Sequence, residues 1–210
     1  MDRAFWESRW ETGQIGFHLS EVNPHLAKHH AVLPVGGRIL VPFCGKTLDL
    51  PWLAAQGHQV VGVERVERAI LEFFEGQGLS YTATAQGDVT VYRAGAITLL
   101  QGDLFALTPE AVGAIDGLWD RAALIAMPAE LRARYVHALG VLAPSAVGLL
   151  VTLQHDLASG PPFSVDDAEV RAHFGTARVR LLDTHDITAQ SANLLAKGAR
   201  QVLERVYALD

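Results

Sequence analysis

Arg38-Ile-Leu-Val-Pro-Phe43, then Cys44-Gly45-Lys46-Thr47, then Val60-Val-Gly-Val-Glu64: this stretch decides the fold. An apolar run too short for a helix ends at a loop with one glycine. Residues 47–56 then carry helical spacing, Gly57 is placed to end that helix, and a second apolar run follows. Strand, loop, helix, strand is the building unit of a parallel sheet, because parallel neighbours need a crossover. The same alternation continues outward. Residues 66–75 predict a second helix before Gly76 and Gly78, and residues 89–93 and 96–100 predict two strands joined through Ala94-Gly95. Residues 115–119 and 147–153 add apolar runs, with a helix over 129–142 between them. A helix over 165–174 and late strands over 179–182 and 202–208 complete the pattern. The expectation is an α/β fold whose mostly parallel central sheet carries helices on both faces. No repeat, low-complexity tract or Ser/Gly linker divides the chain, so residues 1–210 are expected to form one domain, with residues 1–35 as an N-terminal helical extension.

The composition excludes several classes. Half of the 210 residues are hydrophobic and 19% are charged, which is incompatible with bulk disorder. The single cysteine, Cys44, excludes a disulfide framework and fits a reducing, cytoplasmic compartment. With 23 acidic against 17 basic side chains, the net charge of −6 argues against a nucleic-acid partner. The opening MDRAFWESRWETGQ lacks the basic, apolar, small-residue order of a secretory signal, and no apolar run approaches the roughly 20 residues of a membrane span. A monomer is expected.

Ligands of open α/β sheets bind beyond the carboxyl ends of the strands, so the loop after the first strand is the first candidate. Gly45-Lys46-Thr47 invites a phosphate-loop kinase reading, but that motif needs a glycine at position 40, which is Leu40. The Gly-x-Gly-x-x-Gly dinucleotide fingerprint is also missing. A lone glycine permits one close backbone approach and suits a cofactor without pyrophosphate. Glu64 ends the second strand, 19 residues after Gly45, where a carboxylate can accept from both ribose hydroxyls; a surface glutamate capping the next helix fits the same spacing. Asp103 ends the next long strand and can face an adenine edge, or serve as a turn residue bonded to its own backbone. Together, Gly45, Glu64 and Asp103 make a nucleoside pocket. Adenosine without phosphate points to S-adenosyl-L-methionine.

Six blocks then occur in one order. They are Phe5-Trp-Glu-Ser-Arg-Trp10, Ile15-Gly-Phe17-His18, Val41-Pro-Phe-Cys-Gly-Lys46, Gly57-His-Gln-Val-Val-Gly-Val-Glu64, Trp119-Asp-Arg-Ala-Ala-Leu124 and Gly160-Pro-Pro-Phe-Ser-Val165. In this combination the sequence resembles the thiopurine S-methyltransferase family, its bacterial members above all. The resemblance implies a Rossmann-like methyltransferase sheet with a reversed last strand, and an N-terminal extension that covers the cofactor site. It implies cofactor contacts from Trp10, Phe43, Gly45, Glu64, Asp103, Leu104 and Arg121, with Phe17 facing the acceptor. Arg121 would pair with the methionyl carboxylate, a charge-assisted bond; an interior ion pair with Asp116 or Asp120 is the alternative. Trp10 and Phe17 would wall the sulfonium, or simply pack the extension.

The implied chemistry is in-line transfer of a methyl group to the sulfur, selenium or tellurium of a small thiol, selenol or metalloid acceptor, leaving S-adenosyl-L-homocysteine. Soft nucleophiles need little proton abstraction, so no general base is assigned and positioning supplies the acceleration. His155 stands in Gln154-His155-Asp156 where relatives more often read Asp-Tyr-Asp, and it is expected to line the acceptor mouth. Asn193 matches a position where many relatives carry an arginine, so aromatic thiols and small selenium or tellurium species join thiopurines as candidate acceptors. An alternative of another class is an idle S-adenosylmethionine-binding sensor or partner module. Cys44 has no evident base and is read as structural. His25, His29 and His30 put two imidazoles at i, i+4, but without His-Glu-x-x-His or a cysteine cluster no metal is expected there; the three are expected on an exposed amphipathic face.

Overall fold

The protein is seen in a computed structural model that describes residues 3–210; Met1 and Asp2 of the expected extension lie outside the described residues. The extension contributes α1 (Arg3–Glu11) and α2 (Pro24–His29). Asn23 caps α2 by accepting from the His25 N–H at 2.9 Å, and Pro24 occupies the first turn. The repeating part follows as β1 (Arg38–Pro42), α3 (Asp49–Ala55), β2 (Gln59–Glu64), α4 (Glu67–Gln77), β3 (Thr82–Gln86), β4 (Val89–Ala94) and β5 (Ile97–Gln101). Next come α5 (Pro109–Val112), β6 (Gly117–Arg121), α6 (Ala129–Leu142), β7 (Val147–His155), α7 (Asp167–Phe174), β8 (Val179–Asp186), α8 (Ala192–Leu195) and β9 (Val202–Leu209).

The strands form one nine-stranded sheet in the order β3-β4-β5-β2-β1-β6-β7-β9-β8. Its centre, β5-β2-β1-β6-β7, is parallel. The last strand, β9, runs antiparallel between β7 and β8. Alternate residues of each central strand enter opposite layers. Ile39, Val41, Val60 and Trp119 pack toward α3 and α4, against Leu50, Leu53, Phe73 and Phe74. Leu40, Val61, Val63 and Leu118 pack toward α6 and α7, against Tyr135, Leu139 and Val170. Burial on both faces is why these strands read as continuous apolar runs.

Three differences from the sequence reading have physical causes. Residues 82–86 form β3, which the apolar pattern does not announce: all five are exposed, and β3 is held by backbone pairing to β4 through a turn at Gly87 and Asp88. The fourth parallel strand begins at Gly117, two residues after the predicted start, and Asp116 just before it already bonds Arg38 and Val147 through its backbone. The α2 histidines are not on an exposed face. His25 is 8% exposed and His29 is half-buried, because α2 packs against the β8–β9 side of the sheet, and His30, just past α2, is half-buried against His58 and Trp52. No helix among the described residues is long and apolar enough to cross a membrane.

Candidate active site

The chain leaves β1 toward β2 on one side and toward β6 on the other, so β1 is where the strand order reverses. The β1–β2 ladder runs through five residue pairs, from Arg38↔Gln59 to Pro42↔Val63. The β1–β6 ladder stops after Ile39↔Gly117 and Leu40↔Leu118. Beyond it the two strands part, and a crevice opens at their carboxyl ends, the position where α/β sheets bind ligands. Phe43 and Ala122, the residues just past each strand, hold φ of +46° and +63°. Non-glycine residues pay for this region and adopt it where packing over-determines them, commonly at functional sites. For Phe43 the support is visible: its ring stacks on Tyr135 with centroids 5.8 Å apart, and the Tyr135 hydroxyl donates to buried Asp120 at 2.8 Å.

The crevice is lined by Phe17, Phe43, Gly45 and Arg121, with Lys46 and Asp49 beside them. Gly45 has φ +53°, and a Cβ there would meet the Trp10 ring at 3.1 Å, so the turn needs glycine both for its handedness and for the approach of the indole. Trp10 is 4% exposed and packs edge-on against Phe17, centroids 5.9 Å apart. The extension thus closes over the Cys44-Gly45-Lys46 loop. Gly45→Ala is expected to lower the urea midpoint by the equivalent of about 1–2 kcal/mol, through left-handed strain plus displacement of Trp10. An unchanged midpoint would show that the turn is not held in that conformation.

Glu64 lies beneath the same loop. Its carboxylate accepts from the N–H groups of Gly45 at 2.9 Å, Arg65 at 2.7 Å and Val66 at 2.8 Å. Burial pushes its pKa up, and the three backbone donors hold it down. A carboxylate offers about four acceptor positions, so one remains for a further donor while Glu64 braces the glycine turn. The surface-cap alternative is therefore wrong in part: Glu64 does bind the start of α4, but from a buried position that also reaches Gly45. Arg121 donates to the Phe17 carbonyl and bonds neither Asp116 nor Asp120. Asp116 accepts from the Arg38 N–H and Asp120 from Leu124 and Tyr135, which removes the interior ion-pair alternative. Burial lowers the Arg121 pKa, opposed by the charges of Asp49 and Glu204.

Asp103 sits two residues past the end of β5 rather than at its tip. It accepts from the Phe105 N–H at 3.1 Å, as a turn residue does, and Arg65 approaches it at 3.6 Å. Leu104 is 1% exposed, so its side chain belongs to the core and its backbone alone is available to a ligand. His155 does not line the crevice. It borders a separate recess with Gln154, Asp156, Arg200, Gln201 and Leu203. Its Nδ1 accepts from the Leu157 N–H at 3.3 Å, which leaves the proton on Nε2 to donate to the Pro162 carbonyl at 3.3 Å, while its own N–H donates to Ser164. Burial lowers its pKa. A neutral imidazole so engaged fastens the loop after β7. Asn193 is exposed, and its Nδ2 lies 3.8 Å from where a Cβ on Gly16 would stand, which places it beside the Phe17 turn.

Sequence reasoning missed Asp49. It is 2% exposed, accepts from the Trp119 indole N–H and the Asn23 backbone, both at 2.8 Å, and faces the crevice. In the sequence it is one more acidic residue in a first helical turn. Cys44 is buried over Gly62, where a Cβ would stand 2.7 Å from its Sγ; burial pushes the thiol well up, so it is structural.

Comparison with known proteins agrees with this geometry. A sequence model described as Thiopurine S-methyltransferase matches residues 1–210. Two curated relatives bearing that name come from Pseudomonas fluorescens and Azotobacter vinelandii. The first is 48% identical over 99% of this chain and 98% of its own length, the second 46% identical over 100% and 99%. Among solved structures, a Burkholderia thailandensis 1,6-didemethyltoxoflavin-N1-methyltransferase with bound S-adenosylhomocysteine superposes with a TM-score of 0.62 at 16% identity, covering 99% of this chain and 86% of that one. An S-adenosylmethionine-dependent methyltransferase from Anabaena variabilis gives 0.61 at 12% identity, covering 100% and 96%. These two likenesses are of fold.

Proposed function

The chain belongs to the thiopurine S-methyltransferase family and is an S-adenosylmethionine-dependent S-methyltransferase, and from that premise we propose how its own residues hold cofactor and acceptor. The observation that carries the assignment is the convergence, at one crevice, of a buried carboxylate, a cation and aromatic faces around a glycine turn. This donor set fits the cofactor. Glu64 takes a ribose hydroxyl, the backbone at Asp103 and Leu104 takes adenine, and Arg121 takes the methionyl carboxylate. Trp10, Phe17 and Phe43 surround the sulfonium and exclude water. When bound, S-adenosylmethionine supplies an electrophilic methyl group and departs as S-adenosylhomocysteine.

The residues 1–35 extension is the cover of this site: Trp10 lies on Gly45, and the Phe17 carbonyl takes the Arg121 guanidinium. The acceptor enters beside Phe17, with Asn193 at its edge and the His155-fastened loop further out. No side chain need remove a proton from a thiol already ionised or from a metalloid, so holding the partners in line is the work of the protein. The acidic surface and the single reduced cysteine favour a monomer in the cytoplasm acting on small molecules rather than nucleic acid.

The direct test is labelled cofactor offered with thiophenol, a thiopurine, selenite and tellurite. Transfer to at least one sulfur, selenium or tellurium atom is expected. Cofactor binding with transfer to none would overturn the acceptor class and favour an idle binding module. A second test isolates Arg121. Arg121→Met is expected to weaken S-adenosylhomocysteine binding about 10- to 100-fold, the effect of losing charged hydrogen bonds. Methylthioadenosine lacks the carboxylate, so its affinity should hold; equal losses for both ligands would remove Arg121 from the carboxylate.

A further inference from the structure

The most unusual cluster outside the crevice lies where α2 meets β8 and β9. His25 from α2 and Asp183 and His185 from β8 each offer one ligand-type atom, and these atoms all lie within 4.8 Å of one another. The His25 and His185 rings stand 5.0 Å apart, and His185 Nε2 lies 3.7 Å from Asp183 Oδ2. Around them, His25 Nε2 meets Glu204 of β9 at 2.6 Å, and His29 Nε2 and Lys28 Nζ meet Asp183 at 2.5 and 2.6 Å. Three elements distant in sequence thus bring three imidazoles and two carboxylates together.

One atom in this group is unexplained. His185 Nε2 is buried and has no hydrogen-bond partner. A buried polar atom without a partner carries a desolvation cost that native structures normally avoid. Here the missing partner would lie on the side of the ring that faces His25 and Asp183. Ligands about 2.1 Å from one ion in a tetrahedral site stand roughly 3.4 Å apart. The 3.7 Å separation of His185 Nε2 from Asp183 Oδ2 is close to that, and the His25 ligand nitrogen lies within 4.8 Å of both.

We propose that His25, Asp183 and His185 form a binding site for a divalent transition-metal ion of the zinc class, with Glu204 or His29 completing the shell. Imidazole with carboxylate suits zinc rather than calcium or magnesium, which prefer oxygen alone. Asp183 and Glu204 supply two negative charges for the ion. Lys28, the one ammonium bonded to the cluster among the described residues, has a side chain 57% exposed and is free to turn to solvent. Along the chain no ligand motif is visible, because the i, i+4 histidines of α2 supply one side of the site and the rest comes from the sheet. The role is structural. His25 follows Asn23 by two residues, and the Asn23 N–H binds Asp49 at the crevice, so an ion here would pin the extension that covers the cofactor.

The test titrates zinc ion into chelator-treated, full-length protein by calorimetry, and repeats it with cobalt(II) while recording visible absorption. The expected result is one tight equivalent, ligand-field bands of four-coordinate cobalt, and a rise of a few degrees in the unfolding midpoint. His185→Ala and Asp183→Asn should each weaken zinc at least tenfold and abolish the bands, while exposed His137→Ala changes neither. S-adenosylhomocysteine affinity reports that each variant is folded; His185→Gln, closer in volume, replaces His185→Ala if it is not. No binding by the unaltered protein would overturn the proposal, as would undiminished binding in folded His185 and Asp183 variants, or an equal loss in His137→Ala.

Discussion

Glu64→Ala is expected to lose folding stability and cofactor affinity together. The carboxylate is 7% exposed and accepts three backbone N–H groups, from Gly45, Arg65 and Val66. Alanine leaves these donors at the base of the glycine turn without a partner, and each buried unsatisfied group costs about 1–3 kcal/mol. Water entering the vacated space and the removal of a buried charge both offset part of that sum. A net loss of about 3 kcal/mol is expected, read as a lower urea midpoint at unchanged slope. Affinity for S-adenosylhomocysteine should fall by a further 1.5–3 kcal/mol, roughly 10- to 150-fold, if its charged bond to the ribose disappears. Glu64→Gln separates the effects, because its amide oxygen keeps part of the backbone bonding while the charge is gone. A folded variant with unchanged affinity in a calorimetric titration would refute the ribose assignment.

The second large effect concerns Asp120, on the opposite face of β6 from the crevice. It is fully buried, and burial raises its pKa from 3.8 to about 6 against the hydrogen bonds from Tyr135, Leu124 and Ala123. A carboxyl whose folded pKa exceeds its unfolded one binds its proton more readily in the folded state. Its favourable contribution is therefore complete below about pH 3.8 and is lost as pH rises through 6. The difference of about two pH units corresponds to on the order of 3 kcal/mol. Other acids run the opposite way: Asp183, held at about 2 by Lys28 and His29, contributes stability that fails in strong acid. The difference between the unaltered protein and Asp120→Asn isolates the effect. Asparagine can accept from Leu124 and donate to the Tyr135 oxygen, so the support beneath Phe43 survives. At pH 7.5 the variant is expected to be more stable by up to about 3 kcal/mol, with the gap closing toward pH 4. Parallel stability curves from pH 4 to 7.5 would contradict this account.

The parallel centre of the sheet was legible because its strands are apolar on both faces, and α3 and α4 between them stop at Gly57 and Gly78. β3 was not, since an exposed strand of alternating threonine and alanine has no buried face to mark it. At the site, Gly45 and Glu64 were legible as strand-end residues, and the structure joins them by a direct hydrogen bond. The bond from Arg121 to Phe17, 104 residues away, was not legible, nor was Asp49 joining Trp119 to Asn23. Both depend on how the extension lies across the sheet. His155 shows the converse: its residue type suggested a lining role, but it is the last residue of β7 and its ring nitrogens are committed to the adjoining loop.

By itself the sequence determined the α/β alternation, the strand tips that carry ligand chemistry and, through six ordered motifs, the kind of transfer the protein performs. The first two are properties of local spacing, hydrophobic periodicity and residue type; the last is what the family resemblance implied. The tertiary structure alone decided which carboxylate meets which donor. It braced Glu64 under Gly45, buried Asp120 against Tyr135, and gathered the α2 histidines with Asp183, His185 and Glu204. Such pairings depend on which distant segments share one low-dielectric space, and no pattern within a single segment records that.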